Sequence, residues 1–295
     1  MEENKRAPFI SLIFPVKNEG NNVLNTIESV LRIKTCYEFE IIVVDDGSID
    51  GCCHFISSHK SVDRIKLLMT EGIGLAKAKN FGAEQSRGDY LIFCDAHLFF
   101  EDFWIERVLE PILIGQAHGT TPGIASTNSI HIVGYGQTLD GNLSVKWNKW
   151  HANPFPSAIL PGGCFCISRK VFLDIGGFDN KFKVWGYEDI EISLKMWLFG
   201  YKCYAQPRVR ILHLFRNSPP YHLTLQHVYY NLLRMAYLHF SEEKIKKCKK
   251  LIKTSDSLEI ESLVLAENVI DQREIYFARR KHDDNWFFKE FKIDF

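Results

Sequence analysis

Apolar and polar positions along the first hundred residues fall into two alternating rhythms. Predominantly apolar runs at residues 9–16, 39–44, 65–69 and 89–94 have the length and the β-branched, aliphatic or aromatic content of strands. Between them Val23, Ile27, Val30 and Leu31 recur at helical spacing, and the small-residue stretch 74–86 predicts a further helix. A short helix is expected after the second strand, with Asp50 as its N-cap. Strands alternating with helices predict an α/β fold with a mainly parallel sheet and ligands at the carboxyl ends of its strands. Polar residues gather at those ends: Pro15 to Glu19, Asp45-Asp46-Gly47-Ser48 and Asp95-Ala96-His97.

The rhythm breaks at residues 120–160, where Gly, Asn, Thr, Trp and Pro dominate and short strands with a mobile loop are expected. It resumes with an apolar run at 159–167 and a helix at 188–199, with Ile190, Leu194 and Trp197 on one face. Beyond residue 221 the pattern is helical and increasingly charged. The expected division is a catalytic domain at 1–220 and a helical extension at 221–295.

Composition narrows the picture. Lys+Arg and Asp+Glu balance at 36 each, so no global field draws the chain to nucleic acid. The charged start at residues 1–6 runs into an apolar stretch too short to span a bilayer, and a soluble, cytoplasmic protein without a transmembrane segment is expected. The eight cysteines lack paired zinc-hook spacing and read as small buried hydrophobes.

Four constellations carry candidate chemistry. Asn18, Glu19 and Asp46 end strands, where amides and carboxylates accept from a base N–H or ribose hydroxyls. Asp95 and His97, one residue apart in extended chain, both reach one side and can share a cation, the histidine favouring Mn²⁺ over Mg²⁺. Trp185-Gly186-Tyr187-Glu188-Asp189, with Gly162 and Gly163 upstream, combines an aromatic face, close backbone approach and a carboxylate suited to general-base work. His213 and Arg216 end a late strand, one a possible third metal ligand and the other a phosphate donor. Taken singly, each also fits a turn, a helix cap or a structural histidine. Gly72-Ile73-Gly74 carries two glycines of a dinucleotide motif, but Lys77 stands where the third belongs, which argues against NAD.

Together, Asp95-x-His97, Gly162-Gly163, Gly176-Gly-Phe-Asp179, Trp185-Gly-x-Glu188 and His213-x-x-Arg216 resemble family 2 glycosyltransferases of the GT-A fold, over residues 8–220. The closest resemblance is to the branch containing the polypeptide N-acetylgalactosaminyltransferases. The resemblance implies a GT-A, Rossmann-like nucleotide-sugar-binding fold and a UDP-sugar donor. It also implies Mn²⁺ (or Mg²⁺) on Asp95, His97 and His213, with Asp46 on uracil and Arg216 on the diphosphate. Pro15, Asn18, Glu19 and Lys77 join the implied nucleotide side; Gly162, Gly163 and Trp185 hold sugar or acceptor.

Retaining members of that branch have Asn after the Glu, where this chain has Asp189; inverting family 2 enzymes have Glu-Asp. The expectation is therefore inversion, with Asp189 as base, Glu188 beside it and residues 135–156 as an acceptor loop over a peptide or glycan. A retaining N-acetylgalactosaminyltransferase-like enzyme is the alternative, and a silent sugar-nucleotide-binding scaffold is the alternative of another class. The aromatic end, residues 286–295, is expected to dock on its own domain or on a second copy as a homo-oligomer, shaping the acceptor side. The lysine-rich segment 244–253 reads as a solvated face.

Overall fold

The computed structural model describes residues 7–253 and 255–295; the charged start at 1–6 lies outside the described residues. The four expected strands are present as β1 (Ile10–Val16), β2 (Phe39–Asp46), β3 (Ile65–Thr70) and β4 (Tyr90–Cys94), paired in parallel in the order β3-β2-β1-β4. Every residue of β1 and β2 is buried, because helices cover both faces of this half of the sheet.

Alternate side chains divide between two cores. Leu12, Phe14, Ile41 and Val43 pack with α1 (Asn22–Arg32), while Ile13, Ile42, Val44 and Phe93 pack with α2 (Leu75–Glu84). Each such side chain, fully buried, contributes about 1.5–3 kcal/mol.

The second half of the sheet is mixed. A short β5 (Leu98–Phe99) leads to α3 (Trp104–Leu113), then to β6 (Gly119–Ser126) and β7 (Ser129–Tyr135). The hairpin β8 (Gln137–Leu139) and β9 (Val145–Trp147) and the short β10 (Phe155–Pro156) occupy the loop-rich region. β11 (Cys164–Ser168) inserts antiparallel between β4 and β6, and β12 (Cys203–His213) pairs in parallel with β6. Among the described residues the sheet has ten strands. The short helix expected after Asp50 is a 3-10 turn, His54–Ser58, and Asp50 does not cap it. Its carboxylate accepts from Gly20 N and Cys52 N instead, tying the first two strand-end loops together.

After α4 (Arg169–Asp174) and α5 (Glu188–Leu198), the chain continues as α6 (Leu225–His239), α7 (Glu242–Leu251), α8 (Ser257–Leu265), α9 (Val269–Arg279) and α10 (Asp284–Glu290). These helices share one apolar core with α5: Leu232, Met235, Tyr276, Phe287 and Phe288 are buried beside Leu194 and Trp197. The aromatic end thus packs on its own chain, with Phe291 edge-on to Trp197 at 5.0 Å. Lys244 in the basic stretch is buried too, 3.2 Å from Asp284, so one face of that helix is not solvated. Among the described residues no helix is long and apolar enough to cross a membrane.

Candidate active site

A cavity of about 730 Å³ opens at the carboxyl ends of β1, β4 and β12. Asp95 follows β4, His97 stands two residues on, and β12 delivers His213 as its last residue. His213 Nε2 lies 3.1 Å from Asp95 Oδ2, and His97 Nε2 lies 3.8 Å from the same oxygen. One donor atom from each of the three residues falls within 4.8 Å of the others. These separations suit ligands each about 2.0–2.2 Å from a common divalent ion. Two imidazoles and one carboxylate favour a transition metal such as Mn²⁺ over a cation that prefers all-oxygen sites. Burial acts to raise the Asp95 carboxyl, but the His213 hydrogen bond and the charges of both histidines outweigh it and lower it to about 2. The donor set fits the metal that the resemblance implies.

Glu19 serves this cluster from behind. One of its oxygens lies 3.2 Å from His97 Nδ1, leaving Nε2 turned toward Asp95, and Arg216 grips both oxygens as a fork. A carboxylate behind a histidine ligand fixes its tautomer and orientation. Burial would raise the Glu19 carboxyl, yet the bonds to His97 and Arg216 hold it below its ordinary range. Its place after β1 predicts a carboxylate that meets a nucleotide; Glu19 is instead held by His97 and Arg216, and Arg216 lines the cavity already paired.

Two further expectations need correction. Asn18 has φ 55°, and its side chain accepts from Ile49 N at 2.9 Å and donates to Pro220 O at 3.3 Å. It joins loops and does not line the cavity. Lys77 points to solvent: on α2 the residues facing inward are Ala76, Ala78 and Lys79, and a side chain 200° round from Lys79 cannot share its direction. Lys79, missed from sequence, is fully buried with Nζ 3.2 Å from Glu188 Oε1. Asp46 borders the cavity, and its oxygens also accept from Thr70 Oγ1, Ile73 N and Gly74 N, which holds the Gly72–Gly74 loop beside it. Pro15 lines the same wall.

The opposite wall is built by the turn before α5. Val184, Gly186 and Tyr187 all have positive φ, and Val184 O accepts from Leu75 N, which docks the turn on α2. Trp185 is left 45% exposed at the rim, while Glu188 is buried. A Cβ on Gly162 would lie 3.3 Å from Asp189 Oδ2, and one on Gly163 would lie 3.4 Å from Asp95 Oδ2 and from His213 Cδ2. A side chain at Gly162 would require the Asp189 carboxylate to give way slightly, whereas one at Gly163 would make ordinary contact. The Asp189 carboxyl is raised by burial first and then by the charge of Glu188. Leu143, Ser144, Val145 and Trp147 of the expected acceptor loop line the cavity. Tyr221, also unforeseen, completes it.

Comparison with known proteins agrees with this geometry. The family model described as glycosyl transferase family 2 matches residues 11–176, and one described as the N-terminal domain of galactosyltransferase matches residues 141–217. The chain belongs to glycosyl transferase family 2. Polypeptide N-acetylgalactosaminyltransferase 8 of Drosophila melanogaster is 32% identical over 241 residues, covering 72% of this chain and 39% of the relative. Polypeptide N-acetylgalactosaminyltransferase 11 of Xenopus tropicalis is 29% identical, covering 80% of this chain and 43% of the relative. The chain thus spans about two-fifths of the length of these relatives. Among solved structures, GalNAc-T7 with UDP, GalNAc and Mn²⁺ superposes with TM-score 0.76 at 22% identity, over 98% of this chain and 57% of that one. S. aureus TarS 1–349 with UDP-GlcNAc does so with TM-score 0.60 at 15% identity, over 91% and 73%. The fold is GT-A.

Proposed function

We propose that this chain is a divalent-metal-dependent glycosyltransferase that moves a sugar, N-acetylgalactosamine in the first instance, from its UDP donor to a polypeptide hydroxyl with retention of anomeric configuration. The observation that carries the proposal is the convergence of Asp95, His97 and His213 in a cavity backed by Gly162-Gly163. The names of the relatives supply the donor and acceptor class. Asp95, His97 and His213 would hold the ion, which when bound offsets charge on the leaving diphosphate. Glu188, aimed past Gly162 and partly neutralised by Lys79, accepts from a sugar hydroxyl. Trp185 and Trp147 offer apolar faces to the sugar or acceptor and keep water from the reacting bond.

Inversion, with Asp189 as base, is the second reading, favoured by its raised carboxyl. The two separate on the product. An NMR time course with α-linked UDP-GalNAc and a serine/threonine peptide is expected to show an α-linked product from the first turnover. A β-linked product would transfer the assignment to the inverting reading.

A further inference from the structure

Asp189 makes contacts that neither mechanism requires. Its Oδ2 accepts from Gly162 N at 2.9 Å, and its Oδ1 accepts from Ile190 N at 2.9 Å. One turn further along α5, Ser193 Oγ donates to Asp189 O at 2.6 Å and accepts from Leu160 N at 2.9 Å. The first turn of α5 therefore grips residues 160–162 at two points. The gripped segment leads directly into the metal cluster, because Gly163 O accepts from Asp95 N at 2.9 Å and a Cβ on Gly163 would meet the Asp95 carboxylate and the His213 ring at 3.4 Å.

We infer that Asp189 is a positioning residue: it clamps the Gly162-Gly163 turn and thereby holds Asp95 and His213 at the separation that one ion requires. The inference rests on the metal-dependent transferase reading and adds a structural role for Asp189 to it. The clamp needs an acceptor oxygen at this position. It does not need a negative charge. A leucine has similar volume and no acceptor, whereas an asparagine keeps an oxygen for Gly162 N.

The test compares wild type with Asp189→Asn, Asp189→Leu and Ser193→Ala. Mn²⁺ affinity is read by electron paramagnetic resonance with UDP present, and kcat and KM for UDP-GalNAc are measured alongside. Asp189→Asn is expected to bind Mn²⁺ within about threefold of wild type, and Asp189→Leu about 10–100-fold more weakly, the usual range for supports behind metal ligands. Ser193→Ala removes the second grip without touching the carboxylate and is expected to weaken Mn²⁺ in the same direction by less. Wild-type Mn²⁺ affinity in Asp189→Leu overturns the inference. So does loss of transfer in Asp189→Asn with Mn²⁺ binding intact, since that pattern belongs to a chemical role. Should Asp189→Leu not fold, Asp189→Ala, which removes the acceptor without adding bulk, is read in its place, and wild-type Mn²⁺ affinity there overturns the inference equally. A wild-type protein that binds Mn²⁺ yet releases no UDP from any UDP-sugar contradicts the transferase reading and leaves the clamp comparison standing.

Discussion

Replacing Asp95 with alanine is expected to lower sugar transfer by roughly 10²–10³-fold, the scale seen when one group stabilising developing charge is removed. Asp95 is the one anionic member of the Asp95–His97–His213 set. Without it two imidazoles remain, 4.7 Å apart between ring centroids, with no carboxylate to balance a dication. The fold should survive, since the Asp95 side chain bonds only to His213 among the described residues and leaves no apolar void. Circular dichroism and a thermal melt verify that, and kcat/KM at saturating Mn²⁺ gives the effect. Activity within a few-fold of wild type would remove Asp95 from the site.

The second large effect concerns the join between α6 and the sheet-side helices. Arg234 on α6 is fully buried, with Nε 2.9 Å from Asp179 Oδ2, Nη2 2.7 Å from Gln272 Oε1 and Nη1 near Glu267 O. Asp179 is equally buried, and its carboxyl is raised by that burial against the opposing charge of Arg234. Removing one member of a buried pair strands the other, so Arg234→Ala is expected to destabilise the protein by about 3–5 kcal/mol, measured by urea denaturation at pH 7. Without the guanidinium, Asp179 in the folded state is pushed up further. A folded-state pKa above the unfolded one means that the folded variant holds the extra proton as pH falls. The deficit should therefore narrow in acid and be fullest above the pH at which Asp179 ionises in the variant. A deficit below about 1 kcal/mol, the range of exposed pairs, would show that the pair is solvated.

What the sequence disclosed follows from which interactions are local. β1, β2 and β4 and their polar termini were legible because a strand covered on both faces is written as a predominantly apolar run, and its end as a cluster of polar residues; β3, more exposed, still carries the β-branched and aliphatic residues of a strand. The metal set was legible for a related reason: Asp95 and His97 share one strand end, and only His213 had to be brought from afar. Lys77 was misplaced because rotation about α2 decides which lysine turns inward, and its small apolar residues flank Lys77 as closely as Lys79. Glu19 and Asp46 were placed correctly after their strands, but their partners, Arg216 and the Gly72–Gly74 loop, come from other parts of the chain. Amphipathicity and length left no mark of β11 entering antiparallel beside β4, since Cys164 to Ile167 would be equally apolar in either direction. The division at residue 220 falls where charges begin to dominate the composition of the C-terminal helices. Their apolar faces nonetheless close the same core as α5, and Lys195, Glu191 and His239 form a buried cluster across that junction.

The most direct test of the account is release of UDP from a panel of UDP-sugars, with a serine/threonine peptide present, measured in Mn²⁺ and again after chelation by EDTA. The account predicts release with UDP-GalNAc that rises with Mn²⁺, falls to background in EDTA and returns when Mn²⁺ is restored. Release that persists undiminished in EDTA, or none from any UDP-sugar at saturating Mn²⁺, would contradict it.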